Sequence, residues 1–203
     1  MRRIPFSSPA RRTRRHRSDR GAAIVELSIM ALLLITLVMG IIDFGTLFNQ
    51  RIGLQNGARE AVWNGSRSIV GAPATCGLNL GATPVAGSAQ DNTARVMCMA
   101  KRRTPFPASE TAVKVRIVDM ANPTGPAPAW GPGAGVMVCM MRQATSTTGF
   151  FDFLMAGRVH KVRLTNIVTD PSLINGLTTL AETPLAGSNW NFCDNAASSS
   201  PNV

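Results

Sequence analysis

The feature that most constrains this chain is an unbroken apolar stretch, residues 22–42, reading AAIVELSIMALLLITLVMGII. Wound as an α-helix at about 1.5 Å per residue, it spans roughly 31 Å, the thickness of the hydrocarbon core of a bilayer. It holds a single charge, Glu26, and Asp43 closes it. Residues 1–20 carry eight arginines against one acid, Asp19. That asymmetry puts the N-terminus on the cytoplasmic side by the positive-inside rule and suits it to anionic lipid headgroups. It also accounts for most of the formal charge of +10, because the remaining residues hold 13 basic groups and 10 acidic ones. Basicity confined to a tail points to a membrane partner and away from nucleic acid. A cleaved secretory signal would need a small-x-small site after the apolar core, and Ile41-Ile42-Asp43-Phe44-Gly45 offers none. A helix buried in a soluble protein would keep a polar face, which this stretch lacks. Residues 1–20 therefore read as a basic cytoplasmic tail or leader, and residues 21–44 as a transmembrane helix.

The helical pattern continues beyond the span. Phe44, Leu47, Phe48, Ile52, Leu54, Ala58, Ala61 and Val62 recur at helical spacing among Asn49, Gln50, Arg51, Gln55, Asn56, Arg59 and Glu60. This predicts an amphipathic continuation over residues 45–71, ending near Gly71 and Pro73. Gly53 and Gly57, four apart, open one face of it to close packing. Residues 72–194 read as an extracytoplasmic α+β domain. A loop around Cys76 leads to a short helix over 92–102. Apolar-rich strands are expected at 112–120, 135–142 and 160–168, with a short helix near 150–156. The middle strand, GVMVCMMR, is apolar throughout and is expected at the centre of a small antiparallel sheet. Lys114, Arg116 and Asp119 are expected to point outward. From 170 onward regular patterning is weak, and residues 195–203 read as a disordered tail. The expected fold class is thus α+β: one N-terminal transmembrane helix, extended as a long amphipathic helix, with a small antiparallel-sheet domain laid on its C-terminal half.

Cys76, Cys98, Cys139 and Cys193 all follow the apolar stretch, and none forms a C-x-x-C pair. With only His16 and His160 besides, no metal-ligand set is apparent. An even number of cysteines beyond a membrane span favours disulfides over four buried thiols. Of the three possible pairings, Cys76–Cys98 would close a loop and Cys139–Cys193 would tie the C-terminal segment to the central strand. Paired carboxylates, a phosphate loop and an activated nucleophile are all missing. The tripeptide Asp43-Phe44-Gly45 matches a kinase motif by chance, with none of its companions. No catalytic residue and no cofactor are assigned.

Glu26 is the unexpected residue, since a carboxylate in a membrane segment is costly. Its setting is Gly21-Ala22-Ala23-Ile24-Val25-Glu26. A cut after Gly21 would make Ala22 a charged N-terminus one helical turn from Glu26, on the same face. A basic leader, glycine, four residues, glutamate and then a hydrophobic helix resembles the processing motif of type IV prepilins. The ordered blocks Arg20-Gly21-Ala22-Ala23-Ile24-Val25-Glu26-Leu27, Gly40-Ile41-Ile42-Asp43-Phe44-Gly45 and Leu54-Gln55-Asn56-Gly57-Ala58-Arg59-Glu60 resemble the N-terminal region of TadE-like pilus assembly proteins of the tight-adherence (Flp) system. Leu27 stands where Flp-class prepilins usually place an aromatic residue. The resemblance implies a pilin-like, non-enzymatic component of a bacterial cytoplasmic membrane. It implies processing and assembly roles for Gly21, Ala22 and Glu26, and transmembrane helix packing at Leu27, Gly40, Asp43 and Phe44. The implied partners are other pilin-like subunits, membrane proteins of the pilus machinery and a prepilin peptidase, with the chain staying in the membrane or entering a surface pilus. The alternative is a membrane-tethered adhesin or ligand-binding module with no part in pilus assembly.

Overall fold

The computed structural model describes residues 19–71, 76–122 and 125–194. The expected tail at 195–203 and residues 1–18 of the basic leader lie outside the described residues. The chain divides after Ile41 into two units, and helix α1 (Asp19–Ser66) contributes to both.

In the first unit the side chains of α1 are largely exposed. Every residue from Gly21 to Ile35 is exposed, including Ile24, Leu27, Leu32, Leu33 and Leu34. Its hydroxyls are satisfied within the helix: Ser28 Oγ donates to the Ile24 carbonyl at 2.7 Å and Thr36 Oγ1 to that of Leu33 at 2.8 Å. Such internal satisfaction is what a hydrocarbon environment demands of polar atoms. This is the one helix among the described residues long and apolar enough to cross a membrane.

In the second unit α1 becomes one-sided. Gln50, Gly53, Leu54, Gly57, Ala58, Ala61, Val62, Gly65 and Ser66 are buried at three- and four-residue intervals, while Phe48, Ile52, Arg59 and Trp63 stay exposed. The buried face is mostly small residues, so the backbone of α1 comes close to its neighbouring segments. A Cβ built on Gly57 would lie 2.6 Å from the Ala100 carbonyl oxygen, and one on Gly53 would lie 2.9 Å from both the Phe106 ring and Pro105. The helix stops at Ser66, five residues short of the expected Gly71. Ser68 takes a left-handed φ of 58°, and the Ile69 amide turns back to the Asn64 carbonyl at 2.9 Å.

Helix α2 (Ala89–Arg103) opens on Ser88, whose side chain accepts from the Asp91 amide. It closes on Lys101, Arg102 and Arg103, cations placed at the negative end of the helix dipole. Strands β1 (Thr111–Asp119), β2 (Ala134–Gln143), β3 (Val159–Ile167) and the two-residue β4 (Leu180–Ala181) form one antiparallel sheet in the order β3-β2-β1-β4. A 3-10 turn (Ala108–Glu110) and two four-residue helices, α3 (Asp152–Met155) and α4 (Asn191–Asp194), complete the described elements.

The sheet is covered on both faces. One face packs Val113, Val115, Ile117, Val136, Val138, Met140 and Val162 against Leu54, Ala58, Ala61 and Val62 of α1 and Val96, Met97 and Ala100 of α2. The other packs Ala112, Val118, Met137, Cys139 and Met141 under Trp190 and Cys193. Double cover explains why β2 is apolar without alternation. It also corrects the orientation expected for β1. Lys114 is buried, with Nζ 2.5 Å from Asp194 Oδ1, and Arg116 Nη1 donates to the Asp194 carbonyl at 2.9 Å. The C-terminal segment lies where solvent was expected. Disulfides join Cys76 to Cys98 and Cys139 to Cys193.

Candidate functional site

Three groups of residues stand out: the carboxylate in the apolar helix, a carboxylate where the second unit begins, and a buried ion pair in the outer domain.

Gly21, Ala22, Glu26 and Leu27 lie on α1 in the first unit, and all four are exposed. Ala22 and Glu26 are four apart on one helix, which places them on one face. Gly40 is half-buried and Phe44 is exposed.

Asp43, expected among the helix-packing residues, is taken up by its own domain. It is 1% exposed and accepts four hydrogen bonds from the loop after β2. Ser146 Oγ donates at 2.8 Å, the Thr147 amide at 3.1 Å, the Thr148 amide at 2.9 Å and Thr148 Oγ1 at 2.7 Å. Gln50, two turns further along α1, adds Nε2 to the Thr145 carbonyl at 3.0 Å. An acceptor-only carboxylate matched to four donors is a structural clasp. The sequence signal was a single acid directly after the apolar run, and its three partner residues lie more than a hundred residues away.

Sequence reasoning missed the ion pair. Glu182 and Lys101 are both buried, with Nζ 2.6 Å from Glu182 Oε1. The same carboxylate accepts from the amides of Asn79 and Val113, each at 2.7 Å. Lys101 also reaches the Ala108 carbonyl at 2.9 Å. One side chain therefore ties together the loop after Cys76, the end of α2, strand β1 and the C-terminal segment. Such pairs hold structure together. They do not by themselves form a site open to a ligand.

Arg142 stacks 3.8 Å over the Phe106 ring and donates to Glu110 at 2.8 Å, and its register partner on β3 is His160. Burial and the charges of Arg142 and Arg51 push the His160 pKa below its ordinary value of 6.5. No group of three or more His, Cys, Asp or Glu placed to hold a metal occurs among the described residues. A cleft of about 470 Å³, open to solvent, is lined by Asn56, Arg59, Glu60, Trp63 and Arg103.

One apolar helix among the described residues long enough to cross a bilayer, carried with a disulfide-bonded α+β domain, supports a membrane-anchored protein. Residues 21–63 match the family model described as TadE-like protein, so the helical segment of this chain is TadE-like. The match lies wholly within α1 and covers both the span and its buried continuation. No curated protein and no solved structure matches the chain.

Proposed function

We propose that this protein is a pilin-like structural component of a Flp-type pilus assembly or secretion machine, working by helix packing and subunit contacts and performing no chemistry. The observation that carries this reading is the TadE-like match over a helix whose apolar side chains are all exposed from Gly21 to Ile35. A plain anchor has no use for Gly21 and Glu26 at prepilin spacing. The partners proposed are other pilin-like subunits and pilus-machinery membrane proteins, meeting the helix at Leu27 and, on another face, at Gly40 and Phe44. Glu26 sets register by pairing with a cationic N-terminus in the bilayer, its own or a neighbour's, once a prepilin peptidase has cut after Gly21. The N-terminus is cytoplasmic, and the outer domain faces an oxidising compartment, which its two disulfides support.

The test is Glu26→Gln in a host that makes the pilus, with the protein's N-terminus read by mass spectrometry. The expected result is defective piliation with an intact outer domain, and a wild-type protein that begins at Ala22. Normal piliation in the variant overturns the role of Glu26. A wild-type N-terminus upstream of Gly21 overturns the processing.

A further inference from the structure

Five of the chain's eight phenylalanines lie on the two segments that meet at Asp43: Phe44 and Phe48 follow it on α1, and Phe150, Phe151 and Phe153 follow Thr147 and Thr148, which donate to it. Phe44 and Phe48 pack edge-to-face at 4.8 Å on α1, and Phe150 and Phe151 at 5.1 Å on the loop. None of the five is buried. Phe153 is 76% exposed, and Phe150 and Leu154 beside it are also exposed. The folded domain has both faces of its sheet covered, so this is apolar surface it does not use for its own core.

The loop's position follows from its bonds. Thr147 and Thr148 donate to Asp43, and the Phe150 amide donates to Thr148 Oγ1 at 3.2 Å. Asp43 comes directly after residue 42, the last of the apolar stretch. A bilayer spanned by residues 22–42 therefore has its surface at the level of Asp43, and the loop is held there. We propose that residues 149–155 are a second, peripheral membrane contact, in which Phe150, Phe153 and Leu154 enter the boundary between headgroups and acyl chains. Gly149 takes a left-handed φ of 75° that turns the loop, and the exposed Asp152 and Arg158 provide polar groups at headgroup level. The occupant is lipid. The reading rests on residues 22–42 spanning a bilayer and is independent of the pilus role.

The full chain, reconstituted in phosphatidylethanolamine/phosphatidylglycerol vesicles and isolated by flotation, supplies the test. Phe153→Trp is compared with Ile174→Trp, each after subtraction of the unsubstituted protein's emission. Ile174 is 81% exposed and neighbours Leu173, whose amide donates to Ser68 beyond the far end of α1. With bromine on the shallow acyl carbons, the indole of F153W, buried roughly 5–10 Å into the boundary, is expected to lose about half its emission or more, and that of I174W almost none. An unquenched F153W overturns the proposal. A blue-shifted but unquenched signal identifies a protein occupant and overturns it equally. Equal quenching in both variants means the whole domain lies on the bilayer, which also overturns a contact localised to this loop.

Discussion

Glu182→Gln removes one charge and changes one atom, yet it should be among the most damaging substitutions in the outer domain. The carboxylate takes three donors: Lys101 Nζ and the Asn79 amide on Oε1, and the Val113 amide on Oε2. An amide side chain has one acceptor oxygen and one NH₂, so at least one of these donors must face another donor. Lys101 remains a buried cation, with the Ala108 carbonyl at 2.9 Å and the Gly77 carbonyl at 3.5 Å as its remaining contacts. Removing one partner of a buried pair typically costs about 3–5 kcal/mol. At roughly 2–4 °C per kcal/mol for a domain of this size, the melting temperature should fall by about 6–20 °C. Urea unfolding of the full chain in detergent micelles, disulfides intact, gives the measurement. Tryptophan emission is a suitable probe because Trp190 Nε1 donates to the Glu182 carbonyl at 2.9 Å. Lys101→Met added to Glu182→Gln should recover part of the loss by removing the stranded cation. A loss under about 1 kcal/mol in Glu182→Gln, or a double variant in which the losses simply add, would refute the argument that the pair is a keystone.

Gly57→Ala should destabilise the domain by about 1–3 kcal/mol through overpacking, because its methyl would meet the Ala100 carbonyl and Thr104. Gly45→Ala on the same helix has nothing within 4 Å and should gain up to about 1 kcal/mol from helix propensity; paired urea midpoints check both. His160, with its pKa depressed, resists protonation when folded, whereas the unfolded chain takes up the proton near 6.5. Its contribution to stability is therefore complete above that value, falls as pH drops below it, and levels off once the folded pKa is passed. Urea midpoints measured from about pH 7.5 to about pH 5 should show this slope, and His160→Gln should remove its share.

The legible parts of this fold were those carried by local pattern. The apolar run, the small-residue face continuing into α1 and the three long strands each follow from spacing or run length, and the side of the membrane says that the four cysteines pair but not which of three pairings they adopt. The parts that stayed hidden depend on partners distant in sequence. Lys114 and Arg116 alternate as solvent-facing residues would, and only the return of Asp194 across the sheet buries the first and half-covers the second. Glu182 sits in a short polar stretch after a two-residue strand, where nothing local distinguishes a buried anion from a surface one. The end of α1 falls short of Gly71 because the left-handed turn at Ser68 uses no glycine. Of the candidate site, the Gly21–Glu26 spacing was readable, and the clasp on Asp43 was not, since Ser146, Thr147 and Thr148 carry no signal of an anion to bind.

The bond between Cys139 and Cys193 joins residues 54 apart, which sets an order of events during biosynthesis. The membrane helix, α2 and all three long strands are synthesised before residue 193 exists. Until then the second face of the sheet has no Trp190 above it. Glu182, also late in the chain, is the only acid paired with the buried Lys101 among the described salt bridges. A nascent chain at that stage is anchored yet still open, with Met137, Cys139 and Met141 uncovered. Oxidation of Cys193 then locks the cover onto that face, and a chain interrupted before it lacks both the bond and the cover.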